Sequence, residues 1–251
     1  MKEKKILVIP DTQVRAGVPV DHFDWIGNYI VEKRPDVVVH LGDHWDMASL
    51  SRHIDGKTEL DAQDVATDFE SGNTALTMLH KAMYSGKRYA PRKVLLRGNH
   101  EDRIRRFLEE TGNRRFSGIV SEKKFNDKAL GWEVHPFLKP VQISGTWFAH
   151  YFYQPLTGRP YGGTCANKLR NIGHSFVMGH VQGLDLATRT LPNGQMQWGL
   201  VAGSCYQHDE EYKGPQANGH WRGVVMLHEA HDGHFDPMFV SLDYLKRRYS
   251  R

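Results

Sequence analysis

The chain has few of the features that mark secreted or membrane proteins. Its 251 residues include only two cysteines, Cys165 and Cys205, which makes a disulfide scaffold untenable. No window approaches the roughly 18 consecutive apolar residues that a membrane-spanning helix needs. Residues 1–10 pass from charged residues directly into a strand-like run, without the apolar segment of a signal peptide. We therefore expect a cytoplasmic protein.

The sequence also has no internal repeat, linker or low-complexity stretch, and we expect one domain over residues 1–251. Hydrophobic residues make up 39% and charged residues 25% of the chain, as in folded globular proteins. The net charge is +4. Clustered basic residues favour a polyanionic partner, although such clusters are equally common on solvated surfaces. The clusters lie at residues 103–106, 114–115, 123–124 and 246–251.

Three short apolar runs in the first half alternate with two helical patterns. The runs at residues 4–10, 36–41 and 93–96 are typical of buried strands, whereas residues 21–33 and 61–84 have the spacing of amphipathic helices. This alternation predicts parallel βαβ units, in which functional residues collect at the carboxyl ends of the strands. Each predicted strand is followed by polar residues that are suited to metal binding: Asp11-Thr-Gln13, Gly42-Asp43-His-Trp-Asp46 and Gly98-Asn99-His100-Glu101.

The second half is richer in strand patterns. Residues 141–153 alternate and pass through His150, and residues 175–178 lead into Gly179-His180-Val-Gln182. Two hairpins are predicted, with turns at Asn193-Gly194 and Asp232-Gly233. We predict an α/β fold, a four-layer α-β-β-α sandwich of two mixed β-sheets with flanking helices.

Taken in order, the polar segments resemble the pattern of the calcineurin-like metallophosphoesterase superfamily, which is DxH, GDxxD, GNH(D/E), an isolated His and GHxH. Each motif alone is weak, but five in the same order between residues 11 and 182 are specific. Residues two apart project to one side of an extended segment, and a glycine before Asp43, Asn99 and His180 lets the backbone turn sharply near the ions. The resemblance implies a hydrolase with two divalent metal ions.

The resemblance implies a role for each matching residue of this chain. His100 would be the general acid, and Asp46 would orient it or a metal ligand. A hydroxide bridging the two metals would be the nucleophile. Metal site one would consist of Asp11, Gln13, Asp43 and Gln182, and metal site two of Asp43, Asn99, His150 and His180.

Two departures from the pattern fall on the same metal site, because Gln13 and Gln182 stand where the superfamily usually has histidine. Amide oxygens suit Mn²⁺, Mg²⁺ or Ca²⁺ better than Zn²⁺. Site two keeps two histidines and suits Mn²⁺, Fe or Zn²⁺. We therefore expect Mn²⁺ in unequal sites, with site one weaker or filled only in the presence of substrate.

The substrate is predicted from one position. Residues 94–101 resemble the matching stretch of serine/threonine protein phosphatases, which have a phosphate-binding Arg where this chain has Met47. The absence of this arginine, together with the basic clusters, favours a phosphodiesterase or nuclease, since a dianion requires bidentate Arg contacts. Arg97, Arg103 or Arg159 are alternative sources of such a contact. Two other functions stay open, a phosphomonoesterase on proteins or nucleotides and a non-catalytic nucleic-acid-binding module. The oligomeric state is open too, a homodimer included.

The chain has 15 histidines, more than packing requires. A core position is the alternative for His150, since it lies in an aromatic segment. We expect solvated loop positions for His44 and His208, and surface positions for His174, His228, His231 and His234. Cys165 and Cys205 are expected to be small buried residues.

Overall fold

A computed structural model describes residues 4–51, 64–84, 89–209 and 218–250 of the chain. The helices described there are α1 (His22–Lys33), α2 (Val65–Met83), α3 (Arg103–Glu109), α4 (Cys165–Ile172) and α5 (Leu242–Tyr249). The strands are β1 (Lys4–Ile9), β2 (Val37–His40), β3 (Arg92–Leu96), β4 (Glu133–His135), β5 (Val141–Ile143), β6 (Thr146–Ala149), β7 (Phe176–Met178), β8 (Leu184–Thr190), β9 (Met196–Ala202), β10 (Gly223–His231) and β11 (His234–Ser241).

The strands form two mixed sheets. The six-stranded sheet has the order β11-β10-β1-β2-β3-β4, and β1 to β4 run parallel while β10 and β11 are antiparallel to their neighbours. The five-stranded sheet has the order β5-β6-β7-β9-β8, with β6, β7 and β9 parallel. The predicted α/β fold with two mixed sheets is confirmed.

The alternation of side chains along β1 shows how the layers are built. Ile6 and Val8 point into a core shared with the second sheet, whereas Leu7 and Ile9 pack on the other face with residues of α1, α2 and α5. A third core lies between the five-stranded sheet and Cys165 and Leu169 of α4. The result is the predicted four-layer sandwich with its helices outside.

The sheet register brings the strand ends together. Ile9 pairs with His40 and His40 with Leu95, so β1, β2 and β3 end side by side at one edge. Ala149 pairs with Met178 at the equivalent edge of the second sheet. The loops that follow these five strands are therefore neighbours, as expected for the carboxyl ends of parallel strands.

Several elements differ from the sequence-based expectation. The alternating stretch at residues 141–153 is two strands, because Ser144 and Gly145 adopt left-handed backbone conformations and reverse the chain. The predicted helix at 61–84 is α2, and residues 61–63 lie outside the described part. Helices α3, α4 and α5 were not predicted, since seven or eight residues give too short an amphipathic pattern. Among the described helices, none has the length and apolarity to cross a membrane.

Candidate metal centre

Four residues predicted for metal site two converge between the ends of the two sheets. The ligand atoms of Asp43, His150 and His180 lie within 4.8 Å of one another. Oδ1 of Asn99 is 2.9 Å from Nε2 of His150 and 2.8 Å from Nδ1 of His180. Asp43 and His150 are buried and His180 is half-buried. A carboxylate, an amide oxygen and two imidazole nitrogens form a donor set that fits a divalent transition metal.

The orientation of His150 is fixed by the backbone. Its Nδ1 is 2.9 Å from the carbonyl oxygen of Leu41, so Nδ1–H donates there and Nε2 faces the cluster. Nε2 is 3.3 Å from Oδ2 of Asp43. Burial lowers the pKa of His150, but the charge and hydrogen bond of Asp43, together with the charges of Asp11 and Glu101, raise it to about 9. Ligand histidines are commonly held in this way by a carbonyl group.

Four of the predicted ligands have unusual backbone conformations. The φ angles of Gln13, Asp43, His180 and Gln182 are 41°, 51°, 67° and 65°. Residues other than glycine rarely occupy this left-handed region, and such strain collects at functional sites. The strained positions are therefore a second observation, independent of donor chemistry, that marks these loops as a site.

Asp11 and Gln13 of predicted site one follow β1. The Asp11 carboxylate is fully buried and accepts from the backbone N–H of His180 at 3.0 Å. Burial, reinforced by the Asp43 carboxylate, raises the pKa of Asp11 to about 6. Oε1 of Gln13 is buried and has no hydrogen-bond donor among the described residues. A buried amide oxygen without a donor fits a cation ligand.

Gln182, the fourth residue of predicted site one, has a protein partner. Its Oε1 accepts from the hydroxyl of Tyr206 at 2.9 Å, and that hydroxyl lies 3.2 Å from Nε2 of His220. A carbonyl oxygen has two lone pairs, so this hydrogen bond leaves one for a metal. Tyr206 and His220 were not identified from the sequence, and no motif marks them.

His100 and Asp46 form a buried pair beside this cluster. Nδ1 of His100 is 2.6 Å from Oδ1 of Asp46, and Nε2 is 3.7 Å from Oδ2 of Asp43. Burial opposes protonation, but the Asp43 and Asp46 carboxylates together raise the pKa of His100. Burial likewise opposes ionisation of Asp46, but its hydrogen bond from His100 and the nearby Arg103 hold its pKa below the usual range.

Two arginines hold Asp46, Arg15 from the loop after β1 and Arg103 from the first turn of α3. Arg15 donates through Nη1 to Oδ2 of Asp46 at 3.1 Å, and Arg103 donates through Nη1 to the Asp46 carbonyl oxygen at 2.7 Å. Arg103 is one of the three arginines that were named from the sequence, whereas Arg15 was missed. Met47 is fully buried in the core under the helices.

The other two arginines that were named do not contact the cluster. Arg97 is buried, forms an ion pair with Asp127 at 2.5 Å and lies over the ring of Phe125 at 4.4 Å. Arg159 is exposed in the loop after β6. Arg103 is therefore the named arginine that reaches the site.

Glu101 was missed as a structural residue, although it is the acidic residue of the GNH(D/E) motif. Its buried carboxylate accepts from four backbone N–H groups, those of Asp43 (3.1 Å), His44 (2.6 Å), Trp45 (3.1 Å) and Gly98 (2.7 Å). Burial, and secondarily the charge of Asp43, raises the pKa of Glu101. This carboxylate ties the loops after β2 and β3 together and so positions Asp43.

His44 lies in the loop after β2, but the expected solvent exposure is wrong, because its side chain is fully buried. The Gly42 N–H donates to Nδ1 of His40, so Nε2–H of His40 donates to Oγ1 of Thr12, 3.2 Å away. The Thr12 hydroxyl in turn lies 2.9 Å from Nδ1 of His44, whose Nε2 is 2.9 Å from the carbonyl oxygen of Gly72. Thr12 thereby joins the loops after β1 and β2.

The other five histidines named from the sequence are partly buried and partly exposed. His208 stacks on the ring of Tyr206 at 4.6 Å. His174 packs against Trp147 and Phe152, each at 5.7 Å. His228, His231 and His234 lie in or beside the hairpin of β10 and β11. Cys165 and Cys205 are free and buried, as expected.

The chain matches the model of one protein family and is similar to several known proteins. The model of the calcineurin-like phosphoesterase family matches residues 4–229. The chain is similar to the gene 54 protein of Mycobacterium phage D29, at 25% identity with 95% of this chain and 94% of that protein covered. It is 26% identical to the gene 54 protein of Mycobacterium phage L5, with the same coverage. A solved structure of Yfce, a phosphoesterase from E. coli, aligns over 94% of this chain and 100% of its own with a TM-score of 0.41 and 12% identity.

Proposed function

The chain belongs to the calcineurin-like phosphoesterase family, and we propose that it is a phosphodiesterase that cleaves nucleic acid or nucleotides. We also propose that residues 1–251 form a single domain. Family membership indicates metal-dependent hydrolysis of a phosphate ester. The observation that carries the catalytic part of the proposal is the buried His100–Asp46 pair, which lies beside the cluster of Asp43, Asn99, His150 and His180.

We place one divalent cation on Asp43, Asn99, His150 and His180, and a second on Asp11, Gln13, Asp43 and Gln182. The convergence of the first set and the buried Oε1 of Gln13 support this assignment. Oxygen donors dominate, so Mn²⁺ is the proposed metal, with Mg²⁺, Fe or Zn²⁺ as alternatives. When bound, such a pair supplies Lewis-acid activation of water and of the phosphate.

His100 is placed to handle the proton of the leaving group. With Nδ1 bonded to Asp46, its Nε2 faces the cluster and can donate to the ester oxygen that departs. Asp46 holds the ring in this orientation and stabilises its charged form. Arg15 and Arg103 in turn hold Asp46.

The phosphodiester preference is proposed from the missing arginine at position 47. Met47 turns into the core, so no side chain from that position can grip a phosphate dianion. A diester carries one charge fewer and needs fewer donors. The basic residues that support a nucleic-acid substrate are Arg114, Arg115, Lys123 and Lys124, all of which are exposed.

The basic tail of α5 is a weaker candidate for substrate contact. Arg248 pairs with Glu32 in the last turn of α1, near the start of β2. That end of α1 lies towards the amino ends of the parallel strands, opposite the edge that carries the metal cluster. Substrate contact is therefore proposed for the segment after β3.

A phosphomonoesterase is the second candidate, because Arg15 and Arg103 bring two guanidinium groups to the corner beside His100. Two guanidinium groups together could grip a dianion. A nucleic-acid-binding module without turnover is the outcome to which a negative assay would point.

The test is a comparison of esters after removal and return of metal. Protein stripped with a chelator is supplied with Mn²⁺, Mg²⁺ or Zn²⁺ singly and assayed on bis(p-nitrophenyl) phosphate, p-nitrophenyl phosphate and a dinucleotide. We expect diester cleavage that is fastest with Mn²⁺. His100→Asn should lower dinucleotide cleavage by about 10²–10⁴-fold, whereas His234→Asn, at the partly exposed sheet edge, serves as the matched control. Faster monoester cleavage would favour the phosphatase, and nucleic-acid binding without turnover would favour the binding module.

A further inference from the structure

The guanidinium group of Arg103 is held in one orientation at the edge of the metal cluster. Its Nη1 donates to the carbonyl oxygens of Asp46 at 2.7 Å and of Met47 at 3.4 Å. Its Nη2 lies 3.3 Å from Nε2 of His100. The side chain is 14% exposed, so it is almost enclosed by protein. Backbone carbonyl groups therefore engage Nη1 of Arg103, and Nη2 points towards His100, the predicted proton donor.

The nearby carboxylates are already engaged with other groups. Asp46 lies 3.3 Å from Nη1 of Arg103, but its Oδ1 also bonds His100 and its Oδ2 bonds Arg15. Asp68 accepts from both the backbone and the hydroxyl of Ser49. Arg103 is thus oriented by two neutral carbonyl groups and by one carboxylate oxygen of Asp46, which it shares with His100, so its positive charge is only partly balanced.

The distance between the two nitrogens limits where a phosphate can sit. A guanidinium nitrogen can only donate hydrogen bonds. While Nε2 of His100 carries the proton for the leaving group, Nε2 cannot accept a hydrogen bond from Nη2 of Arg103. If Nε2 contacts the leaving oxygen, another oxygen of the same phosphate comes within reach of Nη2, because the nitrogens are 3.3 Å apart. That oxygen would satisfy Nη2 and balance its charge.

We infer that Arg103 binds a non-bridging oxygen of the scissile phosphate through Nη2, a contact that the buried side chain of Met47 cannot supply. The inference rests on the proposed function, since it takes His100 as the proton donor. A single nitrogen offers one charge-assisted hydrogen bond instead of a bidentate contact, and one such bond suits the singly charged phosphate of a diester. Arg15 is a positioning residue, because it acts on Asp46.

The experiment separates binding of phosphate from support of His100. Arg103→Gln and Arg103→Lys are compared with Arg105→Gln, a control on the same helix whose 54% exposed side chain pairs with Asp102 and Glu109. Each variant is assayed with Mn²⁺ on bis(p-nitrophenyl) phosphate and on a dinucleotide. We expect kcat/KM of Arg103→Gln to fall by roughly 10–100-fold on both esters, the value of one charge-assisted hydrogen bond. Arg103→Lys keeps the charge but not the planar fork, so its loss should be smaller.

The two esters differ in their need for an acid. An alkoxide leaving group requires protonation by His100 far more than p-nitrophenolate does. A fall in kcat/KM of Arg103→Gln that is confined to the dinucleotide would therefore mean that Arg103 acts only through His100. That result would overturn the inference. The inhibition constant of inorganic phosphate should rise by a similar factor in Arg103→Gln and stay unchanged in Arg105→Gln. An unchanged constant in Arg103→Gln would also overturn it.

Phosphate binding can be followed without turnover. If the wild-type protein cleaves neither ester, the proposed function fails, whereas the Tm rise caused by inorganic phosphate still tests Arg103. A rise in the wild type and in Arg105→Gln, but not in folded Arg103→Gln, would support the phosphate contact. An equal rise in all three proteins, or no rise in the wild type, would refute it.

Discussion

Gly98 packs directly against the carboxylate of Asp43, and its replacement by alanine should displace this proposed metal ligand. A Cβ atom at this position would lie 2.0 Å from Oδ1 and 2.5 Å from the backbone nitrogen of Asp43. Contacts between non-bonded heavy atoms are favourable only at about 3.5–4.0 Å, so Asp43 must move by about 1 Å or more. The φ angle of Gly98 lies outside the left-handed region, and alanine adds no backbone strain there.

A shift of about 1 Å in a reacting group costs roughly 10²-fold in rate. We therefore expect Gly98→Ala to lower kcat/KM for bis(p-nitrophenyl) phosphate by about that factor and to weaken Mn²⁺ binding measured by calorimetry. Gly118→Ala is the matched control, because a Cβ there meets no atom within 4 Å. Activity and Mn²⁺ affinity of Gly98→Ala within threefold of the wild type would refute the proposed role of Asp43.

Three further predictions concern residues around the cluster of Asp43, Asn99, His150 and His180. Glu101→Gln would turn an amide N–H₂ towards two backbone N–H groups, and we expect urea denaturation to show a loss of about 3–6 kcal/mol in the free energy of unfolding. The control is exposed Glu109→Gln, for which we expect a loss below about 1 kcal/mol. A loss that small for Glu101→Gln would contradict the role of its carboxylate in joining the two loops. Thr12→Val keeps the shape but leaves His40 and His44 without their hydroxyl partner, so the same measurement should show a loss of about 2 kcal/mol or more, and an unchanged midpoint would count against that link. Burial, and then the charges of His208 and His44, lowers the pKa of His22 to about 3. In the unfolded chain the imidazole of His22 takes up a proton near pH 6.5, so stability is full above pH 6.5 and about 2 kcal/mol of it is lost by pH 5. Between these pH values His22→Phe should lose about 2 kcal/mol less than the wild type. An identical pH dependence of the two proteins would contradict a buried, neutral His22.

The parts of the structure that follow from local patterns could be predicted. Short apolar runs that end in polar residues marked β1, β2 and β3, and parallel pairing then places their ends together. Short polar helices such as α3 could not be predicted, because tertiary packing rather than local pattern stabilises them. Arg103 shows the consequence, since its proximity to His100 depends on a helix that the sequence did not indicate.

The glycines beside the predicted ligands show a similar limit. A sharp turn was expected at each, yet of the three only Gly42 has a positive φ angle, at 94°. Gly98 and Gly179 are needed for space instead, because a Cβ atom would lie 2.0 Å from Oδ1 of Asp43 or 2.2 Å from Oδ1 of Asp11. Such close approach involves residues far apart in the chain and cannot be deduced from local sequence.

Buried polar contacts between loops were equally hidden. His44 looked like a solvated loop residue, but Thr12 and the carbonyl group of Gly72 satisfy both of its ring nitrogens inside the protein. A polar side chain can be buried when partners are supplied, and those partners come from the loop after β1 and from α2. The sequence shows the residue type, whereas the partners appear only in the folded chain.

The central claim is that two divalent metal ions share the carboxylate of Asp43. The most direct test is Mn²⁺ titration of the metal-stripped protein, with bound metal counted by mass spectrometry and its environment followed by electron paramagnetic resonance. We expect two Mn²⁺ ions per chain at saturation and the spectrum of a magnetically coupled pair, which Asp43→Asn should abolish. A single Mn²⁺ ion per chain with the spectrum of an isolated ion, at concentrations that saturate diester cleavage, would contradict the claim.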